Sequence, residues 1–293
     1  KEVAHVVWAG KIVVIAVTTL VAVATVVITL MMPNIYRSEA LLAPNGQSSS
    51  NLSSMASSLG GLAGLALLSI GSSDDKTSLG LEILKSRQFF KEFIERHDIL
   101  VPLMATKAWD SASRNLIIDQ TIFDEQANKW VREVNAPYQV KPSAQEAHEA
   151  FLKKLEVVQQ KSTGFVSIAI EHKSPDVAQS WVNWLVEDLN NVMRKRDVEQ
   201  AERSIEYLKQ QISQTTIAEL QAGFFEMIQS QTETIMLANA RPEYLFRVID
   251  PAVTPEFKSK PLRAIICILA TFLGGLLGIM IVIVKHYFFS KTA

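Results

Sequence analysis

The sequence predicts an α+β membrane protein in which two transmembrane helices flank one large domain, built as an α/β base with a long protruding helical arm. Three observations predict it: an apolar block near each end of the chain, short strand-like segments next to those blocks, and a long proline-free stretch with helical spacing.

The chain of 293 residues has a formal net charge of -1, and 48% of it is hydrophobic against 20% charged. The apolar excess is concentrated in two places. Residues 12–32 contain no charge, and about 20 such residues suffice for a helix to cross a hydrocarbon core of about 30 Å. Residues 262–284 are similar, with Arg263 at the start and Lys285 just past the end. A buried helix of a soluble domain is seldom apolar on every face for so long. A secretory signal is the competing reading of the first block, but its apolar core would run only about 7–15 residues. The small-residue sequence Ala22-Val23-Ala24 sits mid-block, so the segment reads as a retained anchor. The expected organisation is a tail over 1–11, a span over 12–32, a domain over 33–261, a span over 262–284 and a tail over 285–293. Charge says little about orientation: Lys1, Lys11, Lys285 and Lys291 flank the outer ends, while Lys258, Lys260 and Arg263 crowd the opposite side. A long loop translocates largely regardless of such charges. The single cysteine, Cys267, lies inside the second block, so no disulfide is expected in the large domain.

Beyond the first span, residues 35–42 read as a short strand. Residues 47–75 are rich in Ser, Gly, Ala and Leu, a composition usual for flexible linkers, but the leucines predict a loop that packs against something. Helical spacing covers residues 77–97, with Leu81, Leu84, Phe89, Phe93 and Ile94 on one face. Residues 100–136 read as short helices mixed with loops, and residues 143–155 as a helix. Strands are expected over 156–160 and 165–170, where Val166, Ile168 and Ile170 alternate with Phe165, Ser167 and Ala169.

Ser174-Pro175-Asp176 is a strong helix start. Serine caps free amides, proline suits the first helical position, and an early aspartate favours the positive dipole end. Val198, Ala201, Ile205, Leu208 and Ile212 then step by three and four, a seam of the coiled-coil kind. The phase slips toward Leu220, Phe224 and Met227, and Thr216 and Glu219 have capping-box spacing. Either the helix breaks near Thr215 and returns as a hairpin, or it continues with a stutter. At 1.5 Å per residue the part to Ile212 reaches about 60 Å, and an unbroken helix to Ala240 would approach roughly 100 Å. The seam can serve packing within the chain or between subunits. Residues 244–249 form a last strand candidate, so the strands beside the two spans should lie together near the membrane.

Pro251, Pro255 and Pro261 cannot donate to a helix or sheet and bias their predecessors toward extended geometry, which suits a stiff connector or an ordinary linker. In the second block Ala270, Gly274 and Gly278 recur every four residues, a spacing that lets membrane helices approach closely. The first span, with small residues Ala16, Ala22 and Ala24, is the expected partner.

Signals for catalysis are weak. Gly71-Ser72-Ser73-Asp74-Asp75-Lys76-Thr77 misses the phosphate-binding loop because Asp75 stands where glycine is required. His5, His97, His148, His172 and His286 lack paired-ligand spacing. Asp74, Asp75, Asp124, Glu125, Glu146 and Glu149 could supply an acid/base pair in principle, but scattered carboxylates usually serve solvation. Arg194, Lys195 and Arg196 read as a solvated basic face that could meet anionic glycan. No nucleophile elbow occurs. No enzyme activity, cofactor, metal or nucleic-acid partner is therefore expected.

Four places resemble the Wzz-type polysaccharide co-polymerases, the O-antigen chain-length determinants. These are Trp8-Ala9-Gly10-Lys11 before the first span; Ser174-Pro175-Asp176 followed by Ala178, Trp181, Asn183 and Asn190; Asp250-Pro251, Pro255 and Pro261-Leu262-Arg263; and Gly274-Gly275-Leu276-Leu277-Gly278. The resemblance implies a periplasmic domain with a membrane-proximal α/β base and an extended arm, both termini in the cytoplasm, and location in a bacterial inner membrane. It also implies a ring-like homo-oligomer that sets the length of lipopolysaccharide O-antigen or a related glycan beside a membrane polymerase, with nascent lipid-linked glycan as a further contact. By the same resemblance Pro175, Trp181, Asn183, Pro251, Pro255, Pro261, Arg263, Ala270, Gly274, Gly275 and Gly278 are structural or interaction residues. Some relatives carry a cytoplasmic tyrosine-kinase domain, which here would be a separate protein. A periplasmic adaptor of a polysaccharide exporter and an anchored glycan-cleaving enzyme are the competing functions.

Overall fold

The computed structural model describes residues 8, 10–45 and 73–289. The chain divides into two compact units, one holding both chain ends up to Tyr36 and from Glu256, the other running Arg37–Pro255. The leucine-bearing Ser/Gly stretch, whose packing the composition anticipated, falls almost wholly outside the described residues.

The first unit is a helical hairpin. Helix α1 (Lys11–Met31) and helix α8 (Arg263–Phe289) each include a stretch of mean hydropathy 2.7 that is long enough to cross a membrane. They pack antiparallel: Gly10 lies against Val282, Val14 against Gly278, Val21 against Gly274, and Thr29 against Cys267. Ile35 and Lys260 form a β-bridge just past the helix ends, with Ile35 N–H donating to the Lys260 carbonyl at 2.9 Å.

The second unit is built on a four-stranded sheet of order β6-β7-β1-β8. Its strands are β1 (Tyr36–Pro44), β6 (Leu155–Gln159), β7 (Val166–His172) and β8 (Phe246–Asp250). Strand β1 pairs antiparallel with β8, from Leu41 opposite Asp250 to Pro44 opposite Phe246, with a bulge between Leu41 and Leu42. The two strands expected beside the spans are thus neighbours in one sheet. On β7 Val166, Ile168 and Ile170 are fully buried, but so is Ala169 at 1% exposed, so the alternation read from the sequence holds only in part.

Helix α6 (Pro175–Gln214) starts as its sequence dictates. Ser174 Oγ accepts from Val177 N–H, Pro175 occupies the first turn and Asp176 follows it. Its first half supplies Ala178, Trp181, Val182, Leu185 and Leu189 to the core, where they meet an aromatic cluster of Phe90, Phe93 and Phe151. Phe90 and Phe151 ring centroids are 4.5 Å apart and Phe151 and Trp181 are 5.8 Å apart, within the range of favourable tilted ring packing.

Three local expectations are corrected. The segment read as one helix over 77–97 is two: α2 (Ser73–Leu84) and α3 (Arg87–His97). Ser86 is extended and its hydroxyl accepts from Phe89 N–H, so a new helix starts there. Residues 100–136 hold the short helix α4 (Leu100–Met104) and two hairpins rather than helices and loops alone. These are β2 (Thr106–Asp110) with β3 (Asn115–Ile118), and β4 (Phe123–Asp124) with β5 (Lys129–Trp130). Around Ala105, Ile118, Phe123 and Trp130 they form a small core of their own. Finally, Thr216 does not cap the helix after α6. Thr215 is extended, Ile217 occupies the cap position without a side-chain bond, and α7 (Ala218–Ala240) follows. Gln221 Nε2 instead donates to the Thr215 carbonyl at 2.8 Å. The expected helix over 143–155 is α5 (Ala144–Leu152), capped by Ser143.

His172, 1% exposed, ties β7 to α4: its Nδ1 accepts from Ser174 N–H at 3.0 Å, so Nε2 carries the proton toward the Pro102 carbonyl at 3.1 Å. Burial pulls its pKa down from 6.5 to about 4, although the Pro102 bond pulls the other way. The folded state keeps the ring neutral while the unfolded chain takes up a proton below about pH 6.5, so stability falls as pH drops from there toward 4. Urea unfolding should show about 3 kcal/mol lost across that window, and His172→Gln should flatten the loss; an unchanged slope in the variant would assign it elsewhere.

Candidate functional site

The residues singled out in the sequence fall into three places rather than one cleft. Among the described residues no group of His, Cys, Asp and Glu is arranged to hold a metal. His97 stacks on Trp184 and pairs with Asp188, while His148 and His172 meet backbone carbonyls. Glu146 and Arg132 form a two-pronged ion pair, which holds the Glu146 carboxyl below its usual range through the Arg132 hydrogen bonds. These groups are engaged in structure.

The first place is the face between α1 and α8. Gly274 and Gly278 are buried, and Ala270 and Gly275 are partly so. A β-carbon at Gly278 would stand 3.0 Å from Val14 Cα and 3.2 Å from its carbonyl oxygen, so the two backbones approach as only glycine allows. At Gly274 the neighbour is the Val21 side chain, at 3.0 Å, and at Gly275 only Thr18 Oγ1, at 3.9 Å. The partner face is therefore Val14, Thr18, Val21, Thr25 and Thr29, not the alanines. Ala16 and Ala24 are exposed, and Ala22 is half-buried. The threonines can lie there because Thr18 and Thr25 return their hydroxyl protons to the Val14 and Val21 carbonyls, each at 2.8 Å. Arg263 completes the hairpin by donating to the Met32 carbonyl at 3.2 Å and to Asn34 Oδ1 at 3.1 Å, satisfying an orphan group at the end of α1.

The second place is the proline segment. Within the large unit, Gln179 Nε2 donates to the Ala252 carbonyl at 3.0 Å, Thr254 Oγ1 donates to Gln179 Oε1 at 2.5 Å, and Ser38 Oγ donates to the Val253 carbonyl at 2.7 Å. Pro251 and Pro255 bracket this anchored stretch. Pro261 lies in the hairpin unit beside the Ile35–Lys260 bridge. Gln179 and Ser38 carried no sequence signal, since a single polar residue on a helix or strand is unremarkable until its partner is known.

The third place is α6. Pro175 and Trp181 sit in its buried first half and Asn183 is exposed. Asn190, 4% exposed, is the pivotal polar residue: its Oδ1 accepts from Leu245 and Phe246 N–H, both at 2.8 Å, and its Nδ2 donates to the Phe246 carbonyl at 3.1 Å. One amide thus fixes the first residue of β8. Tyr244 adds a bond to Asp197 at 2.6 Å, and Lys76 reaches the same carboxylate at 2.8 Å. Burial, with the Asp197 bond in support, pushes the Tyr244 hydroxyl well above its ordinary pKa. Beyond Asp197 α6 packs on α7, and along the seam Ala201 and Leu208 are buried while Val198, Ile205 and Ile212 are partly so. Arg194 and Lys195 engage Asn191 and Glu199 at the surface.

Two substitutions separate these roles from mere presence on a helix. Asn190→Ala strands three buried backbone groups and should destabilise by about 2–4 kcal/mol, whereas Asn183→Ala should stay within about 0.5 kcal/mol, both read by urea unfolding. Gly278→Val should cost about 1–3 kcal/mol in detergent-solubilised protein through overpacking, whereas Gly275→Ala should cost little. Equal effects at Gly275 and Gly278 would contradict the observed face.

Residues 1–97 match the family model described as Wzz, chain length determinant protein, and residues 224–287 match GNVR, described as a G-rich domain on putative tyrosine kinase. No curated protein matches the chain. Among solved structures, a full-length bacterial polysaccharide co-polymerase is 14% identical, with a TM-score of 0.41 over 99% of this chain and 98% of that one. A fragment of WzzB, polysaccharide co-polymerase from Salmonella Typhimurium, is 11% identical, with a TM-score of 0.34 over 78% of this chain and 100% of that one. The two family matches cover the N-terminal and C-terminal motifs that carried the resemblance, and the Ser174-Pro175-Asp176 motif lies between them, outside both.

Proposed function

We propose that the protein regulates the length of a surface polysaccharide without catalysing its synthesis, as an oligomeric scaffold in the bacterial inner membrane beside a membrane polymerase. The observation that carries this reading is the Wzz chain-length-determinant match over residues 1–97. The organisation that goes with it has residues 1–11 and 285–293 in the cytoplasm, spans over 12–32 and 262–284, and the domain of 33–261 in the periplasm. O-antigen of lipopolysaccharide is the proposed glycan.

The structure supports a scaffold role in physical terms. Past the core, α6 and α7 bury only Ala201, Leu208 and Ala238, and leave Leu220, Phe225, Met227 and Met236 exposed. Phe225 is 59% and Met236 67% exposed, and at 100° per residue they share one flank of α7. Exposed apolar flanks of this kind suit contact between copies in an oligomer. Pro251, Pro255, Pro261 and Arg263 are proposed to stiffen the connector that leads into the second span, and Ala270, Gly274, Gly275 and Gly278 to hold the hairpin closed. Nascent lipid-linked glycan is a further proposed contact.

Two outcomes are expected. Deleting the gene should turn a clustered lipopolysaccharide ladder into a random one on a silver-stained gel, with clustering restored by the gene. A ladder unchanged by deletion would refute O-antigen length control, and complete loss of polymer would favour the exporter adaptor. Replacing Phe225 and Met236 together by Glu should leave the monomer folded, lower its oligomeric mass in detergent and broaden the length distribution. Unaltered mass would exclude that flank as the contact.

A further inference from the structure

The most exposed large hydrophobic residue among the described residues is Phe257, at 84%. Singly exposed apolar residues are common, so its position decides its meaning. Two residues on, Ser259 N–H donates to the Ile35 carbonyl at 2.8 Å, and Lys260 forms the β-bridge with Ile35. Arg263, the first residue of α8, reaches Met32 and Asn34 at the end of α1. The stretch 257–260 is therefore tied level with the turn immediately beyond both helix ends, within the hairpin unit.

The candidate spans have 21 and 22 residues. At 1.5 Å per residue these are about 32 and 33 Å long, close to a hydrocarbon core of about 30 Å. The helix ends thus fall at the boundary of that core, and the bridge falls in the headgroup layer. An apolar ring there, followed by lysines, matches interfacial segments that bury Trp, Phe or Leu at the headgroup–acyl boundary and keep Lys and Arg on the polar side. Met31 and Leu262, 82% and 59% exposed, continue the apolar surface from the helices toward Phe257. Lys258 and Lys260 are exposed beside it. The opposite end of the hairpin carries the same pairing, with Lys11 Nζ 5.4 Å from the centre of the exposed Trp8 ring.

We propose that residues 256–260 form a second membrane contact, in which Phe257 inserts at the headgroup–acyl boundary while Lys258 and Lys260 meet anionic lipid phosphates. The contact lies in the leaflet on the side of the large domain, and it rests on the reading of α1 and α8 as membrane spans. It would hold the connector against the bilayer surface where the second span begins.

The test uses the full chain in nanodiscs of phosphatidylethanolamine and phosphatidylglycerol. Cys267→Ser removes the native thiol, Ser259→Cys carries an environment-sensitive fluorophore, and doxyl lipids quench from either the shallow or the deep acyl chain. A label at Phe272→Cys, midway along α8 and 66% exposed in the native chain, serves as reference. Shallow quenching should exceed deep quenching at 259, and the order should reverse at 272. Phe257→Ala should lower the shallow quenching at 259, Phe257→Trp should preserve it, and replacing phosphatidylglycerol by phosphatidylcholine should lower it. A label at 259 unquenched at either depth, or indifferent to Phe257→Ala, overturns the insertion while quenching at 272 keeps the spans. Indifference to lipid charge overturns the role of the lysines. Loss of quenching at both positions refutes the spans themselves.

Discussion

Strand β8 must return beside β1 after some 200 residues of intervening chain, and the rest of the large unit is arranged around that return. Closing a loop of roughly that length costs about 5 kcal/mol in chain entropy, before any constant term. Four ladder positions from Leu41 to Pro44 are too short to hold the return alone. Asn190 supplies what is missing, because it replaces water on two amides and one carbonyl at the first turn of the strand. The cost of leaving such groups unpaired is what makes the position of β8 unique. Asn190 can do this because the preceding turns of α6 are buried through Trp181, Leu185 and Leu189, which fix the helix against the sheet.

A different economy governs the distal half of α6 and α7. The base has a close-packed aromatic centre, whereas the arm is held by a single seam with few fully buried side chains. Its helices remain ordered by length and by that seam, and most of their surface is left free. That exposed surface is available for contact with other molecules.

Much of this plan was legible from residues alone. The two apolar blocks, the strands beside them and the Ser174-Pro175-Asp176 start each rest on strong local chemistry, and each is found within a residue or two of its expected place. Other features had little or no local signal. The break after Gln214 was marked only by the phase slip of the seam and a capping-box spacing, which left a continuous helix equally open, and it occurs at Thr215, Thr216 and Ile217 without glycine or proline. The hairpins of residues 106–130 have strands of two to five residues, and their tight turns rely on positive φ at Arg114 and Asn128, which is rare for arginine. The contact face of α1 was hidden for another reason. A helix apolar all round shows no phase, so Val14, Thr18 and Val21 could be recognised only from the glycines opposite. Among the residues singled out on α6, Trp181 is core and Asn183 is surface, and their chemistry differs accordingly.

The central claim is that the two chain ends form one closed membrane hairpin through the Gly274 and Gly278 face. Its most direct test is disulfide formation in native membranes between Thr18→Cys and Gly275→Cys, in a chain also carrying Cys267→Ser. These positions lie within the reach of a disulfide. Rapid cross-linking within one chain, with none between Ile15→Cys and Leu276→Cys on the exposed faces, is the predicted result. Equal cross-linking of both pairs, or cross-links only between chains, would contradict it.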